Sequence, residues 1–128
     1  MSLSGEIRAL AGDLAQAAQK ELDAWAPDAE GYDVEFGYGG ACDAICRQLG
    51  EVLAEKVEGI ELADGGQEGD DHAFVLCTRG GESVVVDIPP YLYERGGGYS
   101  WRKIEGVHLE ARDVLVEDID LGVNVGAA

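Results

Sequence analysis

Apolar residues recur at helical spacing in two stretches of the chain. The first stripe begins near the N-terminus, where Ser2 or Ser4 can act as N-cap, and Pro27 ends it. Its members are Leu3, Ile7, Leu10, Leu14, Ala18, Leu22 and Trp25. The second stripe lies roughly over residues 42–57 and contains Cys42, Ile45, Cys46, Leu49, Val52, Leu53 and Val57. We therefore predict two amphipathic helices, each of which needs a partner surface to cover its apolar side.

Two runs of β-forming residues follow, over residues 72–78 and 83–88. Between them Gly80 and Gly81 predict a hairpin with a two-residue turn, in which the residues flanking the glycines pair with each other. In that register His72 and Asp87 are diagonal neighbours on one face of the hairpin. Only an odd change in the length of the loop would send them to opposite faces.

Both faces of this hairpin are apolar, so both need to be covered. One face carries Phe74, Leu76 and Val85 beside His72, and the reverse carries Val75, Cys77, Val84, Val86 and Ile88. We expect the helix of Cys42 to cover the face of His72, and other parts of the chain to cover the reverse. The predicted fold class is α+β, with helices packed against a small antiparallel β-sheet.

Three of the four remaining segments are rich in glycine. Gly37, Gly39 and Gly40 precede Cys42, and they either turn backbone amides toward an anion or form an ordinary connecting loop. Residues 59–71 read as a polar loop without the ligand spacing of a calcium-binding loop. Residues 96–98 are three glycines among aromatic residues, which suits either a flap over a cleft or a surface loop. Residues 107–121 alternate weakly and predict a further strand or two.

Length and charge limit the classes of protein that the chain can belong to. Its 128 residues fit one domain, spanning 1–128, that can bury a core without disulfides. Nine basic against 26 acidic residues give a net charge of −17, which argues against binding to nucleic acid or to an anionic membrane. The chain has no apolar run long enough to span a bilayer and no signal-peptide pattern, so we expect a cytoplasmic protein. The odd count of three cysteines suits reduced thiols.

Three residues with complementary chemistry stand in the order that thiol-based acyl transfer needs. Cys42 begins the second predicted helix, where exposed amides and the helix dipole favour the thiolate. His72 opens one strand-like run and Asp87 closes the next. We therefore predict Cys42 as nucleophile, His72 as general base and Asp87 as the group that orients the imidazole.

The segment from Gly39 to Pro90 resembles the transglutaminase-like branch of the papain-like cysteine peptidase superfamily. The strings that carry the resemblance are G-G-A-C-D-A-I-C, D-D-H-A-F-V-L and V-V-V-D-I-P-P. The resemblance implies a papain-like core and a Cys-His-Asp site, made of Cys42, His72 and Asp87, for peptide hydrolysis, deamidation or amide exchange. Phe74 stands where the family usually has tryptophan. No side-chain oxyanion donor is evident, so the Cys42 amide is the first candidate, with Gln19, Trp25 and Tyr38 as alternatives.

Two other functions remain open. A domain of the same fold without turnover would be a binding module for peptides or proteins. A metal site would use Cys42, Cys46 and His72, with Cys77 or Asp71 as fourth ligand, although zinc sites prefer cysteine pairs on a knuckle loop. On the enzyme hypothesis we expect a peptide or protein substrate and no cofactor or metal. The sequence does not determine the substrate, the choice between water and an amine as acceptor, or the oligomeric state.

Overall fold

The N-terminal apolar stripe forms two helices, α1 (Leu3–Ala9) and α2 (Ala11–Ala24). The computed structural model describes residues 2–24, 42–65, 74–95 and 102–119. Ser2 caps α1 as predicted, because its hydroxyl accepts a hydrogen bond of 3.0 Å from the amide of Gly5. The prediction of one continuous helix is wrong: Leu10 leaves the helical conformation, with φ −96° and ψ 4°. The stripe runs on across this single residue, so the spacing of apolar positions does not reveal the break.

The second stripe forms helix α3 (Cys42–Lys56), which begins at the predicted residue. Its apolar side is buried, with Leu49 and Leu53 almost completely inaccessible to solvent. Helix α3 packs against α2 on one side and against the sheet on the other. Both predicted amphipathic helices thus find the partner surfaces that they need.

The predicted hairpin is present as β2 (Phe74–Arg79) and β3 (Glu82–Asp87). Its register is the predicted one, since Arg79 pairs with Glu82 across a two-residue loop. Gly80 and Gly81 have φ of +57° and +85°, a conformation that side chains with a Cβ rarely adopt.

Two further strands extend the hairpin into an antiparallel sheet of order β1-β2-β3-β6. Strand β1 (Glu61–Gly65) pairs with β2, which corrects the prediction that residues 59–71 are entirely loop. The strand is acidic and carries only one large apolar residue, Leu62, so no alternating pattern marks it. Strand β6 (Leu115–Ile119) pairs with β3 and confirms the strand expected in the tail.

A second, short ladder joins β4 (Glu94–Arg95) to β5 (Arg102–Lys103). The glycines at 96–98, for which a flap was considered, lie outside the described residues, as do Gly37, Gly39 and Gly40. Single 3-10 turns occupy Pro90–Leu92 and Ala111–Asp113. Together these elements confirm the α+β class. Within the four described ranges, no helix is long and apolar enough to cross a membrane.

The helices cover the face of the sheet opposite to the one we expected for α3. Val75, Cys77, Val84 and Val86 are at most 2% exposed, whereas their neighbours along each strand are only partly buried. Leu62 and Val75 border the same groove as Cys46 and other residues of α3, and Leu62 shares the face of Cys77. The prediction that the Cys42 helix covers the face of Phe74, Leu76 and Val85 is therefore wrong. Both faces are apolar in sequence, so alternation alone did not decide between them.

Candidate functional site

Cys42 is the first residue of α3 and is 6% exposed. It belongs to the main apolar core, together with Cys46 one helical turn later. The predicted orientation toward the core is confirmed. A thiol in this position lies next to the first turn of the helix, where the amide groups have no partner within the helix and the helix dipole is positive.

Asp87 is the last residue of β3 and is partly buried. In the sheet it pairs with Leu115, the first residue of β6. Strand alternation puts its side chain on the opposite side of β3 from Val86, and thus away from the face that the helices cover.

His72 lies outside the described residues, as do Asp71, Trp25 and Tyr38. The assignment of His72 as general base therefore stays a prediction from sequence, and so does the trio as a whole. Phe74, which stands in the place of the family's usual tryptophan, is described: it is the first residue of β2 and is partly buried.

The direction of α3 puts Cys42 at a particular end of the sheet. The side chain of Arg79, at the end of β2, donates a hydrogen bond of 3.2 Å to the carbonyl of Glu58, just after α3 ends. Near the start of α3, Cys46 borders a groove shared with Val75, near the start of β2. Helix α3 therefore runs in the same direction as β2. Cys42 lies toward the end of the sheet where β2 begins and β3 terminates at Asp87.

Tyr93 is a buried tyrosine at this end of the sheet that sequence reasoning did not single out. It is 1% exposed. Its backbone amide donates a hydrogen bond to the Pro90 carbonyl, and its carbonyl accepts a hydrogen bond of 2.9 Å from the Ile104 amide. Burial raises the pKa of its hydroxyl strongly, and charges on Cys42, Glu94, Asp87 and Cys46 raise it further. The hydroxyl is therefore protonated at neutral pH.

No periodic signal distinguishes Tyr93 from Tyr91 in the sequence. Both follow the pair Pro89-Pro90 in a segment for which the sequence predicted no helix or strand. The 3-10 turn places the two side chains differently: Tyr91 is 75% exposed, whereas Tyr93 is buried in the core. A turn of this kind depends on the neighbouring elements, so spacing alone could not identify the buried ring.

Gln19, one of the candidate oxyanion donors, has a different role. Its Nε2 donates to the Val107 carbonyl at 3.1 Å and to Asp23 Oδ1 at 2.8 Å, while its Oε1 accepts from the Leu109 amide at 2.6 Å. The side-chain amide is therefore committed to holding the segment around Leu109 against α2. This contact corrects the idea that Gln19 serves Cys42.

The three cysteines lie in buried positions and are thiols, not half-cystines. Cys77 is fully buried in the middle of the sheet, and burial raises its pKa to about 12. In the described parts of the chain, no group of three or more His, Cys, Asp and Glu side chains is arranged to hold a metal ion. The metal alternative would depend on His72 and Asp71, which are not among them.

Compared with protein-family models, with curated proteins and with solved structures, the chain shows no significant match. The resemblance to the transglutaminase-like branch therefore depends on the residues of this sequence alone.

Proposed function

We propose that this protein is a thiol acyl-transfer enzyme that acts on a peptide or side-chain amide through Cys42, His72 and Asp87. The proposal includes a papain-like, transglutaminase-like core. The observation that carries it is positional: Cys42 begins α3, Asp87 ends β3, and the start of α3 lies toward the end of the sheet where β3 terminates. A candidate nucleophile and a candidate orienting carboxylate thus come from separate elements to one end of the sheet.

The chemistry follows from the residue types. His72 takes the proton of the Cys42 thiol, and the sulfur attacks the carbonyl carbon of the amide. The C–N bond then breaks, the imidazolium gives its proton to the leaving amine or ammonia, and a thioester remains on Cys42. Water or a second amine attacks the thioester and gives its proton to His72, the C–S bond breaks, and His72 returns the proton to the released thiolate. Asp87 holds the imidazole in the tautomer and orientation that these transfers need.

Burial of Cys42 is compatible with this role only if substrate reaches the sulfur from the end of the sheet. The face beneath α3 is filled by apolar side chains such as Val75 and Val86. His72 belongs to the segment that precedes β2, and Asp87 ends the adjacent strand. The proposal therefore requires the imidazole to bridge from thiol to carboxylate at that end.

The decisive test is the rate of iodoacetamide alkylation at Cys42 as a function of pH, followed by mass spectrometry of the modified peptides. An ordinary cysteine has its alkylation midpoint near pH 8.5, and we expect the midpoint of Cys42 to lie well below that pH. His72→Ala should move the midpoint upward, and Cys42→Ala should abolish both this labelling and the release of ammonia or amine from glutamine-containing peptides.

Two cysteines of the same chain serve as controls. Cys46→Ala removes a thiol one turn along the same helix and should leave the reactivity of Cys42 in place. Cys77 should stay unmodified in the folded protein because it is fully buried. An ordinary midpoint at Cys42 that does not respond to His72→Ala would refute the enzyme and favour the binding module. Protection of Cys42 that a chelator removes would refute it in favour of a metal site.

A further inference from the structure

A groove of about 450 Å³ lies beside the end of the sheet where Asp87 lies. Leu115, which pairs with Asp87 across β3 and β6, forms part of its wall. Pro89, which follows shortly after β3, forms another part. The groove therefore lies next to the end of the sheet where β3 terminates at Asp87.

Two large apolar side chains on the walls of the groove are exposed to solvent. Among the described residues, the exposed large apolar side chains are Tyr91 at 75% and Leu115 at 40%, and both border this groove. Single exposed apolar residues are common on protein surfaces, but two of them on the walls of one concavity are typical of a binding site. A large apolar side chain of a ligand would cover both.

The groove also concentrates positive charge in a strongly acidic protein. Arg8 of α1 and Arg112 of the second 3-10 turn both border it, although the chain has only nine basic residues and a net charge of −17. Arg8 is oriented by a 3.0 Å hydrogen bond from Nη2 to the Val116 carbonyl, which uses one of its five N–H donors. A guanidinium held in this way suits a planar carboxylate.

The acidic groups nearby leave room for such a carboxylate. Asp113, which borders the groove, accepts a 2.7 Å hydrogen bond from the Glu110 amide and so closes its own turn. Arg112 pairs with Glu110 at 2.8 Å, but its side chain is 83% exposed. Exchange of this surface pair for a ligand carboxylate costs little, because exposed ion pairs contribute little to stability.

We propose that this groove, formed by Arg8, Tyr91, Arg112 and Leu115, recognises an extended peptide segment in which a carboxylate stands beside a large apolar side chain. The identity of this peptide rests on the proposed function. If Cys42 is the nucleophile, the peptide segment is part of the substrate and flanks the amide that reacts at Cys42. The enzyme would thus select acidic and apolar sequence next to its target.

Binding is measured without turnover, on the full-length chain carrying Cys42→Ala. The probe is a fluorescein-labelled hexapeptide, Gly-Gln-Gly-Phe-Glu-Gly, and its partner has Gln in place of Glu. By fluorescence anisotropy the acidic peptide should bind about tenfold more tightly, as expected for one charge-assisted pair. Arg8→Gln and Arg112→Gln should each reduce this difference, and Tyr91→Ala should weaken both peptides about tenfold or more.

Arg47→Gln is the matched control, since Arg47 is an exposed residue of α3 that does not border the groove and its loss changes net charge equally. Equal weakening by Arg47→Gln and Arg112→Gln would attribute the effect to the overall field and overturn the proposal. Equal binding of the two peptides, or no binding to either at millimolar concentration, would also overturn it. So would a dimer that Tyr91→Ala dissociates, because the occupant would then be a second copy.

The outcome is separable from that of the proposed function. If the acidic peptide binds more tightly as expected while Cys42 has ordinary reactivity in the native chain, the groove is supported as a binding site and the proposed enzyme is refuted. If Cys42 is activated and the two peptides bind equally, the proposed enzyme is supported and the groove has no part in selecting substrate.

Discussion

The contacts of Gln19 allow its structural role to be tested against the oxyanion role that the sequence suggested. In Gln19→Ala the carbonyl of Val107 and the amide of Leu109 both lose a partner, across distances of 3.1 and 2.6 Å. Leu109 is 5% exposed, so water replaces the lost bond poorly. At about 1 kcal/mol for each net hydrogen bond, the free energy of unfolding should fall by about 2 kcal/mol.

The assay is urea unfolding followed by far-ultraviolet circular dichroism, with a thermal scan beside it. For a domain of this length a loss of this size corresponds to a decrease in Tm of roughly 8 °C. Gln16→Ala is the matched control, because it makes the same change at an exposed position of the same helix and shares any gain in helix propensity. The difference between the two variants isolates the hydrogen bonds.

The expected pattern is lower stability in Gln19→Ala with unchanged alkylation of Cys42 in the folded protein. Equal unfolding free energies for the two variants would refute the reasoning about the hydrogen bonds. Slower alkylation of Cys42 without loss of stability would instead restore Gln19 to the site.

Two further predictions concern charged and buried groups. The Arg79 side chain, through its hydrogen bond, holds the pKa of Glu6 below its usual value of 4.5. The interaction therefore stabilises the fold above that pH, and this stabilisation is lost as the pH falls through the lowered pKa. In urea titrations the difference in unfolding free energy between wild type and Glu6→Gln should disappear on acidification. The control variant Glu51→Gln should show no such difference. On the proposed function the Tyr93 hydroxyl stabilises the Cys42 thiolate, so Tyr93→Phe should shift the alkylation midpoint of Cys42 upward, while the unfolding free energy changes by only about 1 kcal/mol. An unchanged midpoint would make the hydroxyl a packing group alone.

Local pattern accounts for most of what the sequence predicted correctly. Helix α3 begins at Cys42, Ser2 caps α1, and the register of the hairpin follows from Gly80 and Gly81. Each of these features is decided within a few residues along the chain. They could be predicted because capping, helical spacing and turn geometry need no knowledge of distant elements.

Features that depend on distant partners could not be predicted in the same way. Strand β1 is recognisable only through its pairing with β2, since four of its five residues are small or acidic. The break at Leu10 does not interrupt the apolar stripe. Gln19 became a structural residue because residues 107–109 pack beside it, and no spacing along the chain relates the two.

The choice of face for α3 has the largest consequence for the site. The strand residues beneath the helix near this end of the sheet are Val75 and Val86, which are buried and apolar, so they offer Cys42 no proton acceptor. On the proposed function the polar partners of Cys42 are His72, which precedes β2, and Asp87, which ends β3. The face assumed from sequence was wrong, so the proposed site now requires Cys42, His72 and Asp87 to meet at the end of the sheet instead of on the face of the hairpin.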